Sequence, residues 1–138
     1  MKDCIFCKIA GGEIGSQTIY EDDMFRAILD IGPASRGHVL ILPKEHAADL
    51  FELPEDTAAA AMVLASRLAK AMREALHFDG LNVVQNNGEA AGQTVKHYHL
   101  HLIPRYQDDA VSVKWPQGSP SADEMAQTAR LIKGALGA

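Results

Sequence analysis

The sequence predicts an α+β domain: an antiparallel sheet of five short strands with one long helix and a C-terminal helix. Three observations carry that reading. Short apolar runs close together in the chain suit strands that pair antiparallel, a long segment after Pro54 carries apolar residues at helical spacing, and His97-Tyr98-His99-Leu100-His101-Leu102-Ile103 alternates with period two. At 138 residues, with 47% apolar and 22% charged content, the chain suits one core and one domain over 1–138.

The strands are expected at Thr18–Glu21, Phe25–Asp30, His38–Pro43, Leu81–Gln85 and Val95–Ile103. Pro54 suits the first turn of the long helix, Glu55 and Asp56 follow where acids favour the helix dipole, and Ala61, Met62, Ala65, Leu68, Ala69, Met72 and Leu76 form its core stripe. Ser121-Ala122-Asp123-Glu124 has the form of a capping box, and Met125, Ala129, Ile132 and Leu136 give the helix it opens, about 120–136, a face to dock on a second helix or a partner. The net charge of −5 argues against general binding of nucleic-acid polymers, and one phosphate needs only a few local donors. No run approaches the roughly 20 apolar residues of a membrane span. Met1-Lys2-Asp3-Cys4 has no secretory character, so the expectation is a cytoplasmic protein away from membranes.

On the last strand Tyr98, Leu100 and Leu102 should point inward, with His97, His99 and His101 in a row on the other face. The outer two are anchored about 13 Å apart, too far for all three to share one metal ion, so they have separate duties. The row suits either metal ligation by two of them or the handling of phosphate, with one imidazole as nucleophile and others as donors. Upstream, Asn86-Asn87-Gly88-Glu89-Ala90-Ala91-Gly92-Gln93-Thr94 reads as a flexible connection whose backbone N–H groups can approach an anion. Cys4-Ile5-Phe6-Cys7 admits three readings: a redox pair, half a zinc site, or two small buried residues.

His97 to Ile103 matches the His-φ-His-φ-His-φ-φ pattern of the histidine-triad (HIT) superfamily at every position, φ being apolar. The resemblance runs in order through Ile19–Asp23, Ile28–Ile31, Gly37–His46, the Asn86–Thr94 loop and Lys114-Trp115-Pro116, covering about residues 4–116. It is nearest the bacterial nucleotide-binding (HINT-like) branch. The resemblance implies a HIT-like fold whose sheet extends across a homodimer. It also implies a purine nucleotide hydrolase in which His99 attacks the α-phosphorus to form a nucleotidyl-histidine. His101 and His38 would meet phosphoryl oxygens together with Gly92, Gln93 and Thr94, Asn86 would orient substrate or loop, Asp30 would bind ribose hydroxyls, and Ile28 and Ile31 would wall the base. Trp115 would lie in a tail that crosses to the partner's leaving-group pocket. In similar bacterial proteins Cys4, Cys7, His46 and His97 would hold a structural zinc, which catalysis itself does not require. Nucleoside phosphoramidates or adenylyl conjugates are the implied substrates; dinucleoside polyphosphate hydrolysis and a non-catalytic nucleotide-binding interaction protein are the alternatives. Thr94 stands where serine is common and Leu29 where some relatives carry histidine, which bears on the leaving group and not on the nucleophile.

Overall fold

The computed structural model describes residues 3–137. The elements follow as α1 (Ile5–Ala10), β1 (Thr18–Glu21), β2 (Phe25–Leu29), β3 (Val39–Pro43), α2 (Glu55–Leu76), β4 (Gly80–Val84), a 3₁₀ turn (Glu89–Ala91), β5 (Leu100–Arg105) and α3 (Ala122–Leu136). All strand pairings are antiparallel, in the spatial order β1-β2-β3-β5-β4. β1 and β4 are therefore the sheet edges.

The sheet is covered on both faces. One face carries Phe25, Ala27, Val39, Ile41, Leu100 and Leu102 and packs on α2 through Ala61, Leu64, Ala65 and Met72. Met62, expected in the α2 stripe, is exposed and Leu64 takes the buried position, so the stripe is rotated slightly from its sequence reading. The opposite face carries Ile28, Leu40 and Leu42 and is closed by Phe6, Ile9 and Ala10 of α1. That helix was not legible as such. It has six residues, fewer than an isolated helix needs, and its N-cap is Cys4, whose sulfur accepts the Cys7 N–H.

β5 begins at Leu100, later than the alternation suggested. Residues 97–99 lie outside the ladder, and the Tyr98 N–H goes instead to Ala47 O at 2.7 Å. The strand also runs through Pro104, the residue expected to follow it. β3 pairs with β5 only over Val39–Ile41, so the missing N–H of Pro104 removes no bond to β3, and Pro104 O accepts the Ser35 hydroxyl at 2.6 Å.

Gly37 delivers His38 into the sheet at φ +88°, and a Cβ there would overlap Leu76 Cδ1. Gly37→Ala combines a disfavoured backbone with overpacking and is expected to lower stability by about 2 kcal/mol or more, read as the urea midpoint. An unchanged midpoint would place the strain elsewhere. α3 has the expected capping box on Ser121 and Glu124, and it is exposed along its length, with Met125, Leu131, Ile132 and Leu136 each at least 58% accessible.

Candidate active site and metal centre

Two clusters of titratable side chains meet on the α1 face of the sheet. These histidines are largely shut off from solvent: His97 is fully buried, and His38 and His99 are 5% exposed.

The hydrogen bonds assign the protons. His99 Nδ1 lies 2.7 Å from His97 O, and a carbonyl can only accept. His99 is thus protonated on Nδ1, and its Nε2 carries a free lone pair. The Ala34 N–H donates to His38 Nδ1 at 2.9 Å, which puts the His38 proton on Nε2, where it is donated to His101 Nδ1 at 2.9 Å. His101 in turn holds its proton on Nε2. Asp30 Oδ2 lies 3.6 Å from His38 Nε2, an electrostatic rather than a hydrogen-bonding distance, and Asp30 Oδ1 accepts the Gly32 N–H at 2.9 Å. Asp30 therefore serves the turn with one oxygen and faces the histidines with the other. The rings of His99 and His101 contact at 4.9 Å between centroids.

Burial is the main cause that holds His38, His99 and His101 below the ordinary imidazole pKa, His101 at about 4, with the Asp30 carboxylate opposing it. The folded protein keeps these rings neutral, while an unfolded chain protonates them below about pH 6.5. The unfolded state then binds more protons, so stability is full above about pH 6.5 and is lost as pH falls towards 4. One such group contributes up to about 1.4 kcal/mol per pH unit in that window. The urea midpoint at pH 5 should accordingly lie below that at pH 7.5. Equal midpoints would mean that the rings are charged in the fold.

The second cluster gathers Cys4, Cys7, His46 and His97, with one donor atom from each and all four within 4.8 Å of one another. His97 Nε2 donates to Pro43 O at 2.9 Å, which leaves its Nδ1 lone pair facing Cys4 Sγ at 3.3 Å, Cys7 Sγ at 3.4 Å and His46 Nδ1 at 3.2 Å. Cys7 Sγ lies 3.3 Å from His46 Nδ1. Tetrahedral zinc, with bonds of about 2.3 Å to sulfur and 2.0–2.1 Å to nitrogen, spaces such donors by roughly 3.3–3.8 Å. The set therefore fits zinc in donor type, number and spacing. Burial and the neighbouring Cys4 thiol push the Cys7 thiol up, so a metal must displace its proton. The Asp30, His38 and His101 donors also converge, but the His38 Nε2 proton is already donated to the His101 Nδ1 lone pair.

The loop before the histidines is braced rather than flexible. Gln93 Oε1 accepts the Gly88 N–H, and its Nε2 donates to Ala48 O and Val95 O. Gln93, expected at the phosphate, has both ends of its amide committed within the protein. Asn87 likewise accepts the Leu50 N–H, while Asn86 stands beside Gly92, where an added Cβ would lie 3.9 Å from Asn86 Nδ2. Gly92 sits at φ +92°, and with Thr94 and Lys96 it lines a cleft of about 430 Å³.

Two expected contacts are placed differently. Ile28 is buried against Phe6 and Ile9 in the core, with little surface left for a base, and Ile31 is fully exposed. Trp115 is 75% exposed and so does not pack on its own sheet. Phe6 was missed: its ring meets His99 edge-on at 4.9 Å and His97 at 6.1 Å, and the signal available was an aromatic between two cysteines. The Ala34 N–H, a backbone group, left no signal.

This geometry has known counterparts. The HIT domain family matches residues 11–108. Adenosine 5'-monophosphoramidase of Saccharomyces cerevisiae is 44% identical over 125 residues, 90% of this chain and 77% of the yeast protein. A crystal structure from Streptococcus mutans UA159 superposes with a TM-score of 0.94 at 40% identity, covering 99% of this chain and 87% of that one. A histidine triad family protein of Mycobacterium smegmatis, solved with zinc bound, superposes with a TM-score of 0.77 at 41% identity over 98% and 96% of the two chains. The continuous His97–Ile103 motif, the domain match and these identities together place the chain in the HIT family.

Proposed function

We propose that the protein hydrolyses purine nucleotides at the α-phosphate through a nucleotidyl-His99 intermediate, with nucleoside phosphoramidates or adenylyl conjugates as substrates. The observation that carries the reading is the fixed tautomer of His99, whose unprotonated Nε2 is available to attack. Nε2 forms the bond to phosphorus while the bond to the leaving amine breaks, and the proton on His101 Nε2 goes to that amine. Water then attacks phosphorus, loses a proton to His101, and releases the nucleoside monophosphate and His99. Thr94 supplies a donor for the equatorial oxygens, and the free oxygen of Asp30 takes the ribose hydroxyls. The named activity of the yeast relative supports the substrate class. Incubation with adenosine phosphoramidate should release adenosine monophosphate; binding of the monophosphate without turnover would favour a nucleotide-binding protein instead.

Cys4, Cys7, His46 and His97 would hold a structural zinc, which when bound ties α1 to the sheet. The chain would act as a cytoplasmic homodimer. The β4 edge and the exposed apolar face of α3 both want cover, and exposed Trp115 suits a tail that reaches the partner's leaving-group pocket. Light scattering should give about twice the chain mass. Trp115→Ala is then expected to shift selectivity among leaving groups by about tenfold, with much less change in monophosphate binding. Mixing inactive His99→Gly chains with Trp115→Ala chains should restore wild-type selectivity, because the active His99 site receives an intact tail from its partner. Selectivity that follows the tail of the same chain, or a monomer at assay concentration, would refute the exchange.

A further inference from the structure

We infer that the Cys4, Cys7, His46 and His97 set positions the nucleophile: metal held there fixes His97, and the backbone carbonyl of His97 holds His99 in its Nδ1–H tautomer. The inference rests on the reading of His99 as nucleophile. His97 does three things at once. Its Nε2 is anchored on Pro43 O, its Nδ1 belongs to the metal set, and its carbonyl accepts the His99 proton at 2.7 Å. β5 starts only at Leu100, so no ladder pairing holds residues 97–99, and the peptide that carries the His97 carbonyl is held by the side chain of its own residue and by its N–H, that of Tyr98, which donates to Ala47 O at 2.7 Å. That bond joins the residues next to the two histidine ligands, His97 and His46. Phe6, between the two cysteines, bounds the His99 ring from the other side at 4.9 Å and 80°. These two restraints run back to the same four ligands, and the His101 ring, 4.9 Å from that of His99, is a third that does not. Without them His99 is free to carry its proton on Nε2, a form with no lone pair at the attacking atom. His97 and Phe6 are positioning residues in this scheme, acting through His99.

The test uses full-length protein with ¹⁵N-labelled histidine, reading ring tautomers by long-range ¹H–¹⁵N correlation and assigning His99 by its loss in His99→Asn. Zinc-loaded, chelator-treated and cadmium-exchanged samples are compared, together with kcat and KM for adenosine phosphoramidate. Zinc-loaded protein should show the proton on Nδ1 alone. Metal-free protein should populate the Nε2–H form and lose about tenfold in kcat with KM within about twofold, and zinc should restore both. If chelated protein unfolds, the cadmium sample decides, because the larger ion must shift His97: a larger share of the Nε2–H form of His99 with lower kcat supports the coupling. Failure to take up zinc overturns it, as does a His99 tautomer that is the same in every folded state, whatever happens to kcat. A tautomer that follows the metal in a protein without turnover supports the coupling and sinks the hydrolase reading alone.

Discussion

His99→Gly should retain the fold and monophosphate binding while losing at least three orders of magnitude in kcat for adenosine phosphoramidate, about 4 kcal/mol of barrier. The ring to be removed is buried and neutral, with its proton held on the His97 carbonyl, and the hydrogen bonds around it survive its loss except that one. His38 and His101 remain linked to each other and to the Ala34 N–H, so the binding groups keep their arrangement. Removing an edge-to-face neighbour of Phe6 leaves a cavity, and a fall of a few degrees in melting temperature is expected with it. His99→Asn, which fills more of the space, should be equally inactive and nearer wild-type stability. A variant retaining more than about a tenth of wild-type kcat, a loss below roughly 1.4 kcal/mol, would remove His99 from the nucleophile's role. A burst of one equivalent of leaving amine from wild-type protein, absent in the variant, would support the covalent step separately.

The parts legible in the sequence are those written in local periodicity. Short apolar runs gave β1 to β4 to within one residue at each end, alternation marked the histidine row although β5 itself starts five residues later than expected, and the capping box gave the start of α3. Helical spacing found α2 but misplaced Met62, because a stripe of small alanines leaves the buried direction weakly specified. The covered face of the sheet was not legible. α1 is six residues long with no amphipathic repeat to betray it, and what it buries depends on a contact between residues about ninety positions apart, Cys4 with His97. The brace on Gln93 was hidden for a similar reason: its partners Ala48 O and Val95 O are backbone atoms, which carry no residue-type signal. His38 and His101 meet beside Asp30, and Cys4 and Cys7 meet His46 and His97, whereas the protons on these rings could be assigned only from distances, since which nitrogen of a histidine donates is set by its neighbour.

Cys7→Ala should abolish stoichiometric zinc in freshly purified, untagged protein and lower the melting temperature by roughly 10 °C or more. The size of the effect follows from α1. A helix of six residues has no stability of its own, and this one fully buries only Ala10, with Phe6 and Ile9 partly covered. Arg26 Nε also donates to Ala10 O at 3.0 Å, one bond that water can replace. Four ligands drawn from α1, from the segment after β3 and from the approach to β5 join three parts of the chain that are far apart in sequence. Cross-linking of that kind stabilises by the binding free energy of the metal, and its loss leaves three donors too few in number for a closed tetrahedral site. Cys4→Ala removes the α1 N-cap as well as a ligand, so it should fall further than Cys7→Ala by about 1 kcal/mol. Chelation of wild-type protein should reproduce the Cys7→Ala melting temperature and leave that of the variant unchanged. Wild-type protein expressed with ample zinc yet purified without it, or a Cys7→Ala variant that melts with wild-type protein, would mean that α1 is held by packing alone.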